Sequence, residues 1–467
     1  MSDAALPDPA SPEAKPASPL KKVLGNAGQL LSGRVVNAVV GLAYIALTYR
    51  SLGKEAAGVL VLINAFAQFL GEAAHFQSWQ TLITYGAAPL LDNDKRRFQQ
   101  VLRLSMLLDL ISGVLGVILG VLGAWFFWQE LRWPEGTHGY GALYALSIGV
   151  MTSATGVGLL RLFDRFRFLA AEQAISSFVR MIGCAICAFT HAPLPYFLLA
   201  WAAGTFASFA YIAAIAFWDL KRRGLLRGFG LVGPTSQDLP GVWRFALATN
   251  FSGTLDVGFT HVLTMIVGAM LGPAQAASWR IGKQVADGMA KPARLMVPAL
   301  YPELAKMRAS GSQQAMNKLA VQIALIGGAA AGVLLLVSLL AGYWILEKVV
   351  GPGYGAAAGV MNWQVAAAAI GVMTLPLEPM LVSMRAAGSA LTVRLVVVIA
   401  YLAALGPLIH AFGLTGAGAA LVAAALGMGI GMYFMARRRL ARLATEEGSA
   451  RTTKDDEGPT YDHAHGV

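Results

Sequence analysis

Between Lys21 and Arg437 the chain divides into about twelve apolar stretches, each near the ~20 residues a helix needs to cross a bilayer. That repetition constrains everything else. Of the 467 residues, 56% are hydrophobic and only 13% charged, against about 25% charged in soluble domains. A water-facing surface cannot hide such an excess, so it must face lipid. A soluble enzyme and a nucleic-acid binder are thereby excluded. The longest polar interval, from Asp219 to Trp243, is too short to fold as a catalytic domain of its own. The chain reads as an all-α polytopic membrane protein, with spans near 25–49, 56–80, 101–128, 139–160, 169–190, 195–218, 243–271, 276–300, 317–346, 357–383, 391–412 and 415–436.

The formal charge is +11, but its distribution does not suggest an anionic macromolecule. Lys and Arg gather in alternate short loops: Lys21 and Lys22, Lys95 to Arg97, Arg161 to Arg167, Lys221 to Arg227, Lys306 and Arg308, Arg385, and Arg437 to Arg442. The intervening loops hold few, such as Arg50, Lys54, Arg132 and Lys348. This is the asymmetry of a positive-inside topology, with both termini cytoplasmic and an even number of spans.

Residues 1–20, rich in Pro, Ala and Ser, read as a disordered cytoplasmic tail. The same holds from Thr445 to the end, where His463 and His465 are read as solvated. A first lobe of six helices covers 21–220, a Gly- and Pro-rich cytoplasmic linker 221–242, a second six-helix lobe 243–436, and a C-terminal tail 437–467. Cys184 and Cys187 sit in an apolar run without polar support for a reactive thiol and read as packing residues. No metal or cofactor motif is present in the sequence.

Two halves with one orientation would be related by an axis along the membrane normal. Leu52-Gly53 follows the first span and Leu271-Gly272 the seventh, an offset of 272 − 53 = 219 residues. In the second span Asn64, Gln68, Glu72 and His75 share one helical face. The offset lays Asn64 on Lys283, Gln68 on Asp287, Glu72 on Lys291 and His75 on Arg294, and it lays Asn37 on Asp256. Both halves thus carry polar stripes on equivalent helices.

A charged side chain at bilayer depth costs about 2.5–3.5 kcal/mol, so a helix face bearing several of them must avoid lipid. The stripe of Arg280, Lys283, Asp287, Lys291 and Arg294 is net basic, which favours a water-filled cavity over balanced interhelical pairing. Lys291 and Arg294 have a second reading as residues that snorkel to the interface. Arg34 and Arg180 are isolated in apolar context; each reads as an anion contact or as the partner of a buried acid such as Glu72, Asp109 or Glu172. Asp256 and Glu72 are candidate ion-coupling acids, with Asp287 beside them; Asp256 reads equally as a counter-charge to Arg280 or Lys283. Pro376 and Pro379 around Glu378 should interrupt a helix. Gly116 and Gly120, Gly328 and Gly332, and Gly427 and Gly431 have close-packing spacing. Trp125, Trp128, Trp133 and Tyr343 fit interfacial belts.

The segment Gly25-Asn26-Ala27-Gly28-Gln29-Leu30-Leu31-Ser32-Gly33-Arg34, then Tyr49-Arg50-Ser51-Leu52-Gly53-Lys54-Glu55-Ala56-Ala57-Gly58, resembles bacterial Wzx-type flippases. So does Leu271-Gly272-Pro273-Ala274-Gln275-Ala276, continuing through Lys291-Pro292-Ala293 to Pro298-Ala299-Leu300-Tyr301-Pro302-Glu303. The resemblance spans nearly everything between the tails. It implies twelve helices in two pseudo-symmetric lobes, a cationic central cavity and location in the bacterial cytoplasmic (inner) membrane. The implied substrate is an undecaprenyl-diphosphate-linked oligosaccharide, moved from the cytoplasmic to the periplasmic leaflet with ion coupling. Polysaccharide polymerase and export machinery are the implied partners. On this reading Arg34, Arg180, Arg280, Lys283 and Lys291 contact substrate. Glu72, Asp256 and Asp287 couple the ion, and Asn37, Asn64, Gln68 and His75 complete the polar lining. The alternative within the same architecture is a multidrug/cation antiporter, which should concentrate acids in its cavity. A membrane-bound polymerase or ligase would need sizeable outward loops bearing catalytic residues, and these loops are short and nearly uncharged.

Overall fold

A computed structural model describes residues 19–230, 232–237, 239–294, 307, 313–384 and 386–456. Side chains are described from 40 to 442, apart from 173, 231, 238, 248–260, 289, 292–306, 308–313, 315, 385 and 387. The backbones of Arg34, Asn37, Asp256 and Arg294 lie on helices, but their side chains fall outside the described residues.

The first half runs α1 Pro19–Ala74, α2 Ser78–Leu91, α3 Lys95–Phe126, α4 His138–Ala145, α5 Ile148–Met151, α6 Thr155–Leu162, α7 Phe166–Phe189 and α8 Leu194–Arg222. The second runs α9 Val242–Leu271, α10 Pro273–Arg294, α11 Gln313–Ile345, α12 Ala358–Thr374, α13 Leu377–Ser383 and α14 Ala387–Asp456. Among the described residues, eight segments are long and apolar enough to cross a membrane. Two of the eight, Val40–Leu91 and Gly388–Arg442, hold 52 and 55 residues, enough for two crossings each. The difference from the expected twelve has a physical cause. Those two segments each fold back on a glycine, α10 is made too polar for such a count by Arg280, Lys283, Asp287 and Lys291, and α9 enters it only as His261–Leu271, because the side chains of 248–260 lie outside the described residues.

The fold-backs follow from backbone geometry. α1 turns at Gly53, whose φ of 74° and ψ of 176° lie where L residues are strained. Its first arm runs alongside α7, with Tyr44 at Arg180 and Thr48 at Cys184. Its second arm runs against α3, with Phe66 at Gly123 and Ala74 at Gly116. α9 and α10 meet at Gly272 with almost the same backbone, φ 93° and ψ 171°. The two glycines related by the 219-residue offset therefore make the same corner. α14 is a hairpin turned at Gly413, with Val393 against Gly431 and Val397 against Gly427.

Close packing appears where small residues were spaced for it. A Cβ on Gly120 would come within 2.8 Å of Ala145, and one on Gly116 within 2.6 Å of Ile148. Gly332, by contrast, faces open space. The helix is interrupted between Thr374 and Leu377, at the proline pair. Cys184 and Cys187 are buried free thiols, and Thr48 donates to the Cys184 sulfur at 3.3 Å. Two expectations are corrected. Trp133 is not in an interfacial belt; it is 3% exposed, edge-on to Phe66 and tight against Gly141. The chain beyond Thr445 stays helical to Asp456, because α14 continues past its apolar part. His463 and His465 lie outside the described residues.

Candidate functional site

The two halves meet along a seam built from the two glycine corners. On one side of the seam the second arm of α1 packs on the corner and on α9: Gly58 abuts the carbonyl of Pro273, the first residue of α10, and Leu62 abuts Gly268 of α9. On the other side the first arm of α1 packs on α10: the Tyr49 hydroxyl donates to the Ala277 carbonyl at 3.4 Å, and Gln284 lies against Gly41. The corner end is closed further by the segment after α11. Tyr49 stacks on Tyr354 with ring centres 5.3 Å apart. Arg50 donates to the Lys348 carbonyl, and the Lys54 ammonium sits 5.6 Å from the Tyr354 ring centre. Glu347 holds that segment in shape by accepting from the Gly353 and Gly355 amides, both at 2.8 Å. Tyr49 and Tyr354 are 1% and 3% exposed, so this end of the seam is dry.

Deeper along the seam the polar residues appear. Glu72 of α1 meets His261 of α9 at 3.5 Å, an ion pair between halves when the imidazole is protonated. The second Glu72 oxygen is buried and has no hydrogen-bond partner among the described residues. Gln68 is half-buried one turn away. Arg280 is half-buried within electrostatic reach of Tyr49, and among the described residues neither Arg280 nor Lys291 has an acid at salt-bridge distance.

The remaining stripe residues do not all converge there. Lys283 and Asp287 pair along α10 at 3.2 Å and line a cavity of about 340 Å³ inside the second half, with Gln364 and Tyr401. Among the described residues, Gln364 Oε1 and the Tyr401 hydroxyl are buried there without partners. Asn64 is 4% exposed and accepts from Tyr144 at 2.9 Å within the first half. His75 lies at a helix interruption and lines a separate cavity of about 830 Å³. Arg180 has none of the acids considered as its partner. It donates to Thr205 at 2.9 Å, and its guanidinium sits 5.6 Å and 5.9 Å from the ring centres of Trp201 and Tyr44. Asp109 and Glu172 are committed elsewhere, the latter to Ser208.

Several seam residues were missed in the sequence. His261 carries no signal alone, since only the corner geometry sets it opposite Glu72. Tyr49 and Tyr354 could have been suspected from their place beside Gly53 and the Gly351-Pro352-Gly353 turn.

No protein-family model matches the chain. The chain is similar to the inner membrane protein YghQ of Escherichia coli (strain K12), 27% identical over 293 residues that make 62% of this chain and 81% of that one. Its fold is that of MOP-superfamily transporters. It matches the inward-facing conformation of a MATE multidrug-resistance transporter of that superfamily with a TM-score of 0.68 at 14% identity, over 89% of this chain and 95% of that chain. The outward-facing conformation of such a transporter gives 0.58 at 14% identity, over 91% and 96%. A MOP-superfamily transporter from Pyrococcus furiosus, described as having a binding pocket of reverse polarity that suggests a different function, also gives 0.58 at 14% identity, over 91% and 96%.

Proposed function

We propose that the chain is a flippase of twelve crossings. It moves undecaprenyl-diphosphate-linked oligosaccharide repeat units from the cytoplasmic to the periplasmic leaflet of a bacterial inner membrane, by alternating access between two six-helix lobes. The glycine corners face the periplasm and both termini the cytoplasm, as the loop charges require. With the corner end sealed, the described arrangement is the cytoplasm-open one, which agrees with the higher TM-score to an inward-facing transporter. The inner-membrane location agrees with the similarity to YghQ.

The observation that carries the reading is the unbalanced basic charge beside the seam. Asp287 is taken by Lys283, which leaves Arg280 and Lys291 without an acid among the described residues. Bare cations at this depth are costly, and a diphosphate entering the seam offsets that cost. A guanidinium supplies two parallel donors to phosphate oxygens. Arg34 lies further along the first arm of α1, its side chain outside the described residues, and is proposed as a second phosphate contact on its residue type and its apolar sequence context. Lys283 and Asp287 contribute through the second-half cavity. Glu72, with one oxygen unpartnered among the described residues and the other beside His261, is the coupling acid best placed to exchange an ion as the halves separate, and Asp256 follows it.

The test is export of polysaccharide, measured beside membrane abundance, for Arg34→Gln, Arg280→Gln and Lys283→Gln. Normal abundance with export lost in Arg280→Gln, and partly kept in Arg280→Lys, is expected. Full export in all three variants refutes the assignment. A multidrug/cation antiporter is the second reading, favoured by Glu172 and Asp109 lining the 830 Å³ cavity. Asp109 counts little toward it, because its carboxylate is already filled by donors.

A further inference from the structure

Two neighbouring helices of the first half are interrupted at the same depth, without a proline at either interruption. One stops at Ala74 and resumes as α2 at Ser78; the other stops at Met151 and resumes as α6 at Thr155. Between them α3 runs unbroken for 32 residues, and its middle supplies the missing hydrogen-bond partners. The Asp109 carboxylate accepts from the Ala154 and Thr155 amides at 3.0 and 2.8 Å, capping α6. The same carboxylate accepts from Ser153 at 3.2 Å and from Ser78 at 2.5 Å, the first residue of α2. Ser112, one turn along α3, accepts from the Phe76 amide at 3.0 Å inside the other gap. One side chain therefore ties the start of both resumed helices. Non-helical backbone at membrane depth persists only where protein or a cavity satisfies it, and an anion at a helix N-terminus is favourable.

The packing divides at the same level. Before the gaps, Gly71 of α1 packs on Ile148 and Met151 of α5. After them, Gly158 of α6 lies against the Trp79 backbone and Leu82 of α2, and Gly86 of α2 against Leu162 of α6. Each side of the level is a tight pair, and Asp109 and Ser112 of the continuous α3 bond across it. The 830 Å³ cavity adjoins both gaps and is lined by His75, Ser153 and Thr155, while Gly156 of α6 rests on Ile212 of α8. Just before the gap stands the Glu72–His261 contact, and beyond it Tyr85 of α2 packs edge-on to Phe245 of α9 with its hydroxyl 3.4 Å from the Pro240 carbonyl.

We propose that the aligned interruptions are a hinge, with Asp109 as its pin: α2 and α6 move as one body when the halves change their opening, and Asp109 keeps both helix starts satisfied in each position. Asp109 is a positioning residue. The inference rests on the reading that the halves alternate, and not on what they carry.

The test uses the full-length protein in lipid nanodiscs and in membranes, with Asp109→Asn, which keeps size and removes charge. Hydrogen exchange is followed at 76–82 and 152–158. Sidedness is read as the ratio of labelling rates, from the two sides, of a Gln284→Cys reporter in a Cys184→Ala, Cys187→Ala background. The hinge predicts that exchange at both gaps rises together by about tenfold or more, as expected for losing charge-assisted bonds, and that the labelling ratio moves with it. Folded Asp109→Asn with an unmoved labelling ratio overturns the proposal in favour of a purely local cap. So does a rise at one gap only. If Asp109→Asn does not accumulate, Ser78→Ala combined with Ser153→Ala removes two of the donors and is read against the same outcomes. Substrate plays no part in these readouts. Loss of the flippase reading would show instead in the export assay, and loss of alternation in a labelling ratio that no seam substitution moves.

Discussion

Gly58 is the place where one atom should redistribute the two openings. A Cβ there would run into the Pro273 carbonyl oxygen and carbon, and would come within 2.9 Å of the Ala274 amide nitrogen. All three obstacles are backbone, so no side chain can rotate away. Overpacking of this kind costs about 1–3 kcal/mol, and only while the corner end is closed. Since ~1.4 kcal/mol is a factor of ten, Gly58→Ala should move the population toward the corner-open form by roughly fivefold to a hundredfold. The assay is labelling of the Gln284→Cys reporter with an impermeant maleimide from each face of the membrane, in the cysteine-free background. Gly332→Ala is the matched control, because its Cβ meets nothing within 4 Å. An unchanged labelling ratio in well-accumulated Gly58→Ala would refute the account of the seal, as would an equal change in the control.

Tyr354→Ala removes the stacked ring from Tyr49 and the cation–π contact with Lys54, so corner-side labelling should rise in the same direction; Tyr354→Phe, which keeps the ring, should leave it unmoved. Tyr144→Phe deletes the bond to Asn64 and leaves a buried acceptor bare, a loss of about 1–3 kcal/mol read as a lower unfolding temperature without change of sidedness. Gly204→Ala forces a methyl between the Arg180 stem and the Ser176 carbonyl 2.8 Å away, so it should lower stability by about 1–3 kcal/mol, visible in the same melt.

The corners and the proline interruption were legible because their causes are local. Gly53 and Gly272 announce themselves by residue type and by the chain-wide offset, and Pro376 and Pro379 by the amides they lack. The gap at 75–77 has no such mark. His75-Phe76-Gln77-Ser78 is compatible with a continuing helix, and it opens because Asp109 and Ser112 on another helix offer its backbone better partners. Only the hydroxyl run Thr152-Ser153-Ala154-Thr155 hints at the matching gap. The stripe on α10 was legible as polar, but its partition was not: Lys283 turns into the second half because a pocket between α10, α12 and α14 waits there. Periodicity gives a face, and the neighbours decide which residues of that face share a room.

The segment between the halves is less a tether than the last piece of the first half. Gln99 of α3 donates to the carbonyls of Leu225 and Arg227 at 2.7 and 3.1 Å. Arg103 donates to those of Gly230 and Pro234 and lies over the Phe229 ring. Leu225 and Leu239 are buried in one apolar cluster with Leu82 and Phe98. A ribosome that has made residues up to about 240 has thus delivered most of that cluster, which Val242 and Ala246 of α9 complete. For anyone dividing the gene into two co-expressed fragments, the natural cut falls after Pro240, where strapped backbone gives way to the left-handed turn at Gly241. A cut at the glycines near 224 would strip the first fragment of its own lid and leave the second carrying a sticky stub.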